Sequence, residues 1–394
     1  MALAYFHYVL GLLRLGHEVL YLEESGWPES CYNPQAGTNS DDPTYGLQTL
    51  QDLMASFGVK VPICYVNRDS GQVQGLDWRD VKDMLRQADL LLNLGGVCWL
   101  PEFRLSRRLA LVDMDPFFTQ AGCFGVEGLN EHHVHFSYGV NIGQPDCTVP
   151  SGGIDWLPTV PPVVPEIWQI SALPRKNLEI TDVVGAPFTT IANWSAYGGI
   201  TYQGEHYGQK DEEFLRMLEL PSKTPQRLEL AVSGSSAETT ERFRSAGWFI
   251  RDSGDISTDV STYHNYILGS RGEFSVAKNA YVKTRSGWFS DRSVCYLASG
   301  RPVLLQDTGF SDWLETGSGI IPFKSSEEAL AGIEEINRRY EFHCHAARKI
   351  AEDYFDARKV LSYLIDRACN PAQALATDRF HPFARPDDRG VNQQ

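Results

Sequence analysis

The 394-residue sequence contains no Cys-x-x-Cys pair. Its eight cysteines, at positions 31, 64, 98, 123, 147, 295, 344 and 369, are scattered, whereas zinc ribbons and dithiol redox centres need closely spaced thiols. His343-Cys344-His345 is the one cysteine flanked by histidines, and neighbouring helix positions diverge too far to clamp a metal. Ile63-Cys64-Tyr65 and Val97-Cys98-Trp99 are apolar strings in which a reduced cysteine acts as a small hydrophobe. Basic clusters are also missing. With 35 Lys+Arg against 50 Asp+Glu the net charge is −15, and no basic run is denser than Arg104 to Arg108, which excludes the footprint of a nucleic-acid binder. No apolar stretch is long enough to span a bilayer. Met1 to Leu13 lacks the basic start and small-residue cleavage site of a secretory signal, and it runs into Arg14 and His17. Internal repeats and low-complexity tracts are absent. Together these gaps point to a reduced, cytoplasmic protein without an integral membrane span.

What is present is alternation of strand and helix. The length accommodates two domains. In the first half the expected order is helix Ala2 to Leu15, a stop at Gly16, strand Glu18 to Glu24, a loop from Ser25 to Tyr45, helix Gly46 to Phe57, strand Val59 to Val66, helix Trp78 to Gln87 and strand Ala88 to Leu94. Strands Arg108 to Val112 and Val134 to Val140 follow. Pro-rich sequence from Asp146 to Pro187 marks the connection between domains. Beyond it come strand Phe188 to Asn193, helix Lys210 to Leu218, strand Leu228 to Val232, helix Ala237 to Ala246, and strands Trp248 to Arg251 and Tyr266 to Ser270. Long helices over Glu327 to Tyr340 and Cys344 to Asp366 close the chain. The expected domains are 1–170, a linker 171–187, 188–370 and a loose tail 371–394.

Lys283 to Phe310 carries the most chemistry. A Ser/Gly/Asp turn (Ser286, Gly287, Ser290, Asp291) precedes helix Arg292 to Ala298, a stop at Gly300, strand Pro302 to Leu305 and a second turn, Asp307-Thr308-Gly309-Phe310. The first N–H groups of a helix lack intrahelical partners and carry the positive end of its dipole, so they suit an anion. Lys283, Arg285 and Arg292 add formal charge, and Gly309 permits close approach of backbone. A nucleotide diphosphate fits such a cradle; an ordinary capped helix between two strands is the plainer reading of the same residues.

The order of a loop, a helix ending in Ser299-Gly300-Arg301-Pro302-Val303, the Asp307 to Phe310 turn, then Phe323-Lys324-Ser325-Ser326-Glu327-Glu328-Ala329 resembles the donor half of GT-B glycosyltransferases, most clearly over residues 186–365. The resemblance implies two Rossmann-like α/β domains facing across a cleft. It implies a nucleotide-sugar donor on the second domain and a small-molecule or glycan acceptor on the first. The family's acidic residue before the Gly is replaced around Val294 to Tyr296, leaving Asp291 as the substitute for holding ribose. In many such folds a first strand precedes the helix and Leu-Gly-His-Glu-Val unit; here the sequence starts at the helix, so the first domain is expected to lack that strand and the enzyme to be impaired in this form. The expected activity is metal-independent glycosyl transfer, with no cofactor. The alternatives are a nucleotide-sugar epimerase on the same fold and a non-catalytic nucleotide-sugar-binding protein.

Three further constellations follow. Asp113-Met114-Asp115 ends a strand, where its carboxylates cap the next turn, deprotonate an acceptor hydroxyl, or hold a metal in the manner of the other glycosyltransferase architecture. Of His132, His133 and His135, alternation puts His133 and His135 on one face, and His133 is the candidate general base. On the donor side Asn193, Gly198, Glu273 and Lys278 fall near strand ends, with Phe274 or Trp288 as a stacking surface for the base.

Overall fold

The computed structural model describes residues 2–34, 36–122, 128–168, 183 and 185–370. The expected tail 371–394 and all of the expected linker except 183 and 185–187 lie outside them. The chain divides into two compact units that are not contiguous in sequence. Within the described residues the first comprises 2–122, 128–138, 150–162 and 357–370, and the second 139–149, 163–168, 183 and 185–356.

The second unit holds a six-stranded, all-parallel sheet. Its spatial order is Phe249–Asp252, Leu228–Ser233, Phe188–Asn193, Gly272–Ser275, Val303–Gln306 and Ile320–Phe323. Numbered along the chain this is 3-2-1-4-5-6, so the direction of winding reverses between Phe188–Asn193 and Gly272–Ser275, where α/β sheets open a crevice at their carboxyl ends. Phe188, Leu230, Phe274, Leu304, Ile333 and Ile336 form the core on one face. Capping follows the local sequence: Ser236 accepts from Thr239 N, Ser325 from Glu328 N, and the Glu328 carboxylate accepts in turn from Lys324 N.

One expected strand is a helix. Tyr266 to Ser270 belongs to helix Val260–Leu268, which Asp259 caps through Thr262 N at 2.7 Å, and the strand falls at Gly272–Ser275. The β-prone Tyr-Ile-Leu run was outweighed by its cap and by the stop at Gly269. The final helix is likewise two, Tyr340–Tyr354 and Ala357–Cys369. The break after Phe355 coincides with passage of the chain back into the first unit, where Ala357–Cys369 packs on Ala2–Arg14. Gly11 makes that contact close: a Cβ there would lie 2.6 Å from Leu361 Cδ1.

The first unit contains two principal sheets. Tyr21–Glu24 pairs in parallel with Ile63–Val66, which pairs antiparallel with Val73–Gly75. Leu91–Leu94, Leu109–Asp113, Val134–Ser137 and Trp156–Pro158 form a separate all-parallel sheet. No strand joins the two among the described residues. Helix Trp78–Gln87, capped by Asp77 through Arg79 N, lays Val81 and Leu85 against Cys64 and Val66. The loop expected from Ser25 to Tyr45 contains a short hairpin, Cys31–Asn33 with Thr38–Ser40. Burial pushes the thiol of Cys64 up to about 11 and that of Cys98 up to about 12.

Candidate functional site

The reversal point of the six-stranded sheet is tied together by Arg292, in the first turn of helix Asp291–Ala298. Its Nε donates to Glu273 Oε1 at 2.6 Å, Nη1 to the Ile191 carbonyl at 2.8 Å and Nη2 to Ser275 Oγ at 2.8 Å, so one guanidinium bridges both strands that flank the reversal. Arg292 is 9% exposed and Glu273 is fully buried. The expectation that Arg292 supplies positive charge to a bound phosphate is therefore corrected: each of its nitrogens is already held by the sheet, and it forms a wall of the recess. Glu273 is likewise its buried counter-ion.

Two lysines supply the charge. Lys278 follows strand Gly272–Ser275 and donates to Tyr197 Oη at 2.5 Å. Lys210 opens helix Lys210–Arg216 and was not singled out by sequence. That helix is anchored one turn on by Glu213, fully buried, whose carboxylate accepts from Gln306 Nε2 at 2.6 Å and Asn279 Nδ2 at 2.8 Å. Positions three apart share a helix face, so the anchor directs Lys210 toward the same strand ends. Burial first, then the charges of Arg292 and Lys278, push its ammonium down to about 7, against weaker opposing pulls from Asp291 and Glu273. No hydrogen bond or ion pair holds it among the described residues. The missed signal was a broken local rule: a cation in the first turn opposes the helix dipole, and Asp211, Glu212 and Glu213 beside it show the acids that position favours.

At the start of helix Asp291–Ala298 lies a recess of about 10 Å³, lined by Ser275, Ala277, Ser290, Arg292, Ser293, Gln306 and Thr308 among others, with room for about one water. Ser293 Oγ, in its lining, and Glu273 Oε2, beneath Arg292, are buried without a hydrogen-bond partner. Ser290 occupies the cap position of helix Asp291–Ala298 without its side chain accepting from a helix N–H; its hydroxyl donates instead to Asp291 Oδ1 at 3.4 Å, and Asp291 is exposed on the first turn. Trp288 lines the recess half-buried, whereas Phe274 is a core residue stacked on Phe323.

The two glycine turns do meet, with Gly287 N donating to the Thr308 carbonyl at 2.9 Å, but the space between them is filled. Asn141 donates through Nδ2 to the carbonyls of Gly309 at 2.9 Å and Arg285 at 3.2 Å, and its own N–H bonds the Ser286 carbonyl. A Cβ at either Gly287 or Gly309 would come within 2.7 Å of the Asn141 side chain, so these left-handed glycines admit a protein side chain where a pyrophosphate was expected. Arg285 pairs with Asp312 at 2.8 Å, and Lys283 with Glu205 at 2.8 Å beside the hairpin Ile200–Tyr207. The Asp307 carboxylate accepts from Gly309 N and Ser311 Oγ, and Phe310 packs edge-on against Phe289. Ser286 is fully buried. Lys283, Arg285, Ser286, Gly287, Asp307, Gly309 and Phe310 thus build the turns that frame the site, while Thr308, Ser290, Asp291 and Lys278 stand at it. Asn193 is exposed at the end of its strand, and the Gly198 carbonyl accepts from Gln209 Nε2.

In the first unit Asp113 is 1% exposed and saturated. Its Oδ1 accepts from Asp115 N and Thr119 Oγ1, and its Oδ2 from Ser137 Oγ and Gln120 Nε2, all at 2.6–3.0 Å. A carboxylate offers about four lone-pair positions, so none is left for an acceptor hydroxyl and Asp113 organises the turn after its strand. Asp115 is half-buried beside it. His133 is corrected too. Its Nδ1 accepts from Leu109 N at 3.1 Å, at the opposite end of strand Leu109–Asp113, roughly 13 Å from Asp113 at 3.3 Å per residue. It is His132 that neighbours His135, and both donate or accept within the fold through Gly128, Asn93 and Leu129. No group of three or more metal-ligating residues occurs among the described residues, and no helix there is long and apolar enough to cross a membrane.

No protein-family model matches the chain, and no curated protein matches it. Solved structures that resemble it include AviGT4, a glycosyltransferase involved in avilamycin A biosynthesis (13% identity, covering 95% of this chain and 89% of that one, TM-score 0.49). A glycosyltransferase from Rickettsia africae matches at 10% identity over 93% and 94% with TM-score 0.49. A UDP-GlcNAc 2-epimerase from Neisseria meningitidis, bound to UDP-GlcNAc, matches at 10% over 89% and 99% with TM-score 0.41. Likeness at this level assigns no residue a role.

Proposed function

We propose that this chain binds a nucleotide-activated sugar on its second unit and transfers the sugar to a small-molecule or glycan acceptor. The observation that carries the reading is the convergence of Lys210 and Lys278 with the start of helix Asp291–Ala298 at the reversal point of a 3-2-1-4-5-6 parallel sheet. A diphosphate is the ligand such a place suits, since it brings charge to an unpaired ammonium and acceptor oxygens to the helix N–H groups. Asp291 is the candidate for the ribose hydroxyls and Trp288 for the base. Charge developing on the leaving diphosphate would be met by the two lysines without a divalent metal, because preorganised cations act where that charge appears. On the first unit Asp115 is retained as the acceptor-side base. The transfer itself rests on the resemblance of Ser299 to Val303, with Asp307 to Phe310 behind it.

Calorimetry with UDP, GDP, ADP and their sugar conjugates, with and without EDTA, tests the donor site. One nucleotide is expected to bind, insensitive to EDTA, with Lys210→Met and Lys278→Met each weakening it at least ~10-fold, in line with about 1.5–3 kcal/mol for a charge-assisted bond. Absence of heat with every nucleotide rejects the reading. Product analysis with donor alone separates the chemistries: slow hydrolysis supports a transferase, and an epimerised or eliminated sugar an epimerase.

A further inference from the structure

Lys210 and Lys278 come to the second unit's site from different parts of the chain, and one buried carboxylate lies behind both. Glu213 Oε1 accepts from Asn279 Nδ2 at 2.8 Å and Oε2 from Gln306 Nε2 at 2.6 Å, while the exposed Arg216 brings Nη1 to 3.4 Å from Oε1. The other end of each amide meets the backbone beside a lysine. Asn279 Oδ1 accepts from Gly208 N at 3.1 Å, two positions before Lys210, and Gln306 Oε1 from Ala277 N at 3.2 Å, one position before Lys278. Two main-chain bonds close the same seam: Asn279 N donates to the Gln209 carbonyl and Ala280 N to that of Gly208, both at 3.2 Å.

Chemistry fixes the direction of this run of bonds. A carboxylate only accepts, so both amides must turn their NH2 groups toward Glu213. Their carbonyls are thereby left to face Gly208 N and Ala277 N, and every side-chain oxygen and nitrogen of the three residues is bonded. With an amide at position 213, one NH2 would face another. Turning the offended amide over only passes the mismatch to a backbone N–H next to a lysine. Water cannot relieve it, since Glu213 is fully buried and Gln306 is 4% exposed.

We propose that Glu213 is a positioning residue of the donor site, its charge setting the polarity of Asn279 and Gln306 and through them the placement of both lysines. The positioning role rests on the donor reading given above; the polarity does not. Nothing in the local sequence marks it, because Glu213 shares its helix start with Asp211 and Glu212 and differs from them only in what the fold places opposite.

Two variants test this, read by hydrogen exchange in the unliganded chain and by calorimetry with UDP, GDP and ADP. Glu213→Gln is expected to speed exchange of the Gly208 or the Ala277 amide at least ~10-fold, to lower Tm and to weaken nucleotide binding at least ~10-fold. Glu213→Gln combined with Asn279→Asp moves the charge by one link: the carboxylate at 279 accepts from Gly208 N and from the amide at 213, whose carbonyl accepts from Gln306. The pair is expected to return exchange and affinity to within ~3-fold of the unaltered chain, a coupling that independent sites do not show. Ile333→Ala, in the apolar core of the same unit, is the control and is expected to lower Tm with affinity unchanged. Unaltered exchange in Glu213→Gln, or a double variant no better than the single, overturns the polarity. Faster exchange with full affinity overturns the positioning role and leaves Glu213 purely structural. Where Glu213→Gln does not fold, the double variant decides: folding and binding support the proposal, and failure to fold overturns it. Absence of nucleotide binding by the unaltered chain rejects the donor reading, and the exchange rates then decide the polarity alone.

Discussion

Arg292 Nε lies 2.6 Å from Glu273 Oε1 in a buried ion pair that spans the reversal point of the six-stranded sheet. The pair converts an expected ligand group into a structural one, and that distinction is measurable. Arg292→Ala leaves a carboxylate buried without its partner, for which a cost of about 3–5 kcal/mol is expected in urea denaturation. Arg292→Lys keeps the charge without the three-way fork and falls between. An alanine variant with an unshifted unfolding midpoint and weaker nucleotide binding would return Arg292 to the ligand set.

On the proposed reading, Lys210 makes donor binding depend on pH. Burial and the neighbouring cations hold it down to about 7, and a bound diphosphate raises it again, so binding above that pH takes up a proton. Affinity for the nucleotide is expected to be greatest below pH 7 and to fall as pH rises, with a calorimetric enthalpy that varies with buffer. Lys210→Met should lose both dependences. In the unliganded protein the sign is the reverse for stability. Between about 7 and about 10.4 the unfolded lysine keeps a proton the folded one has released, so its contribution to stability rises with pH across that window, and the methionine variant flattens the rise.

Asn141 and Gly309 should behave as a coupled pair. Gly309→Ala places a methyl within 2.7 Å of Asn141 Nδ2 on a left-handed backbone, which is expected to cost about 2 kcal/mol or more. In the Asn141→Ala background the clash with the amide disappears and only the 3.1 Å approach to the Arg285 carbonyl remains, so the double variant should cost less than the sum of the singles in a denaturation cycle. Strict additivity would mean that the amide does not occupy the space between the turns.

Asp113 should answer to stability assays and leave chemistry untouched. Burial raises its pKa, and hydrogen bonds from Ser137, Gln120, Thr119 and the Asp115 N–H partly offset the rise. Asp113→Asn replaces one acceptor oxygen with a donor that faces two of the four donors and is expected to cost about 2–3 kcal/mol. Residual folded enzyme should keep its rate constant. A normal melting temperature with abolished transfer would restore Asp113 as an acceptor base.

Much of the architecture was legible along the chain because its determinants are local. The strand at Phe188–Asn193, the helix ending at Gly300 and the strand Val303–Gln306 were readable from periodicity and stop residues within a few positions of one another. Tyr266 to Ser270 was not, since a β-prone run yields to a helix when Asp259 and Gly269 bracket it. For the candidate site, residue types were legible in the sequence and their partners were not. Thr308, Ser290, Asp291 and Lys278 stand there, while Lys283 and Arg285 are turned to Glu205 and Asp312.

By itself the sequence determined that this is an acidic chain of alternating strands and helices with an anion-compatible helix start near Ser290, because hydrophobic period, glycine stops and caps act over one or two turns. Tertiary structure decided which charges remain available. Whether a cation meets a carboxylate, a carbonyl or a ligand depends on groups brought together from far along the chain, as Asn141 is to Gly309 across 168 positions and Arg292 to Ile191 across 101. Buried polar groups must find a partner wherever the fold provides one, and residue type alone does not say which partner that is.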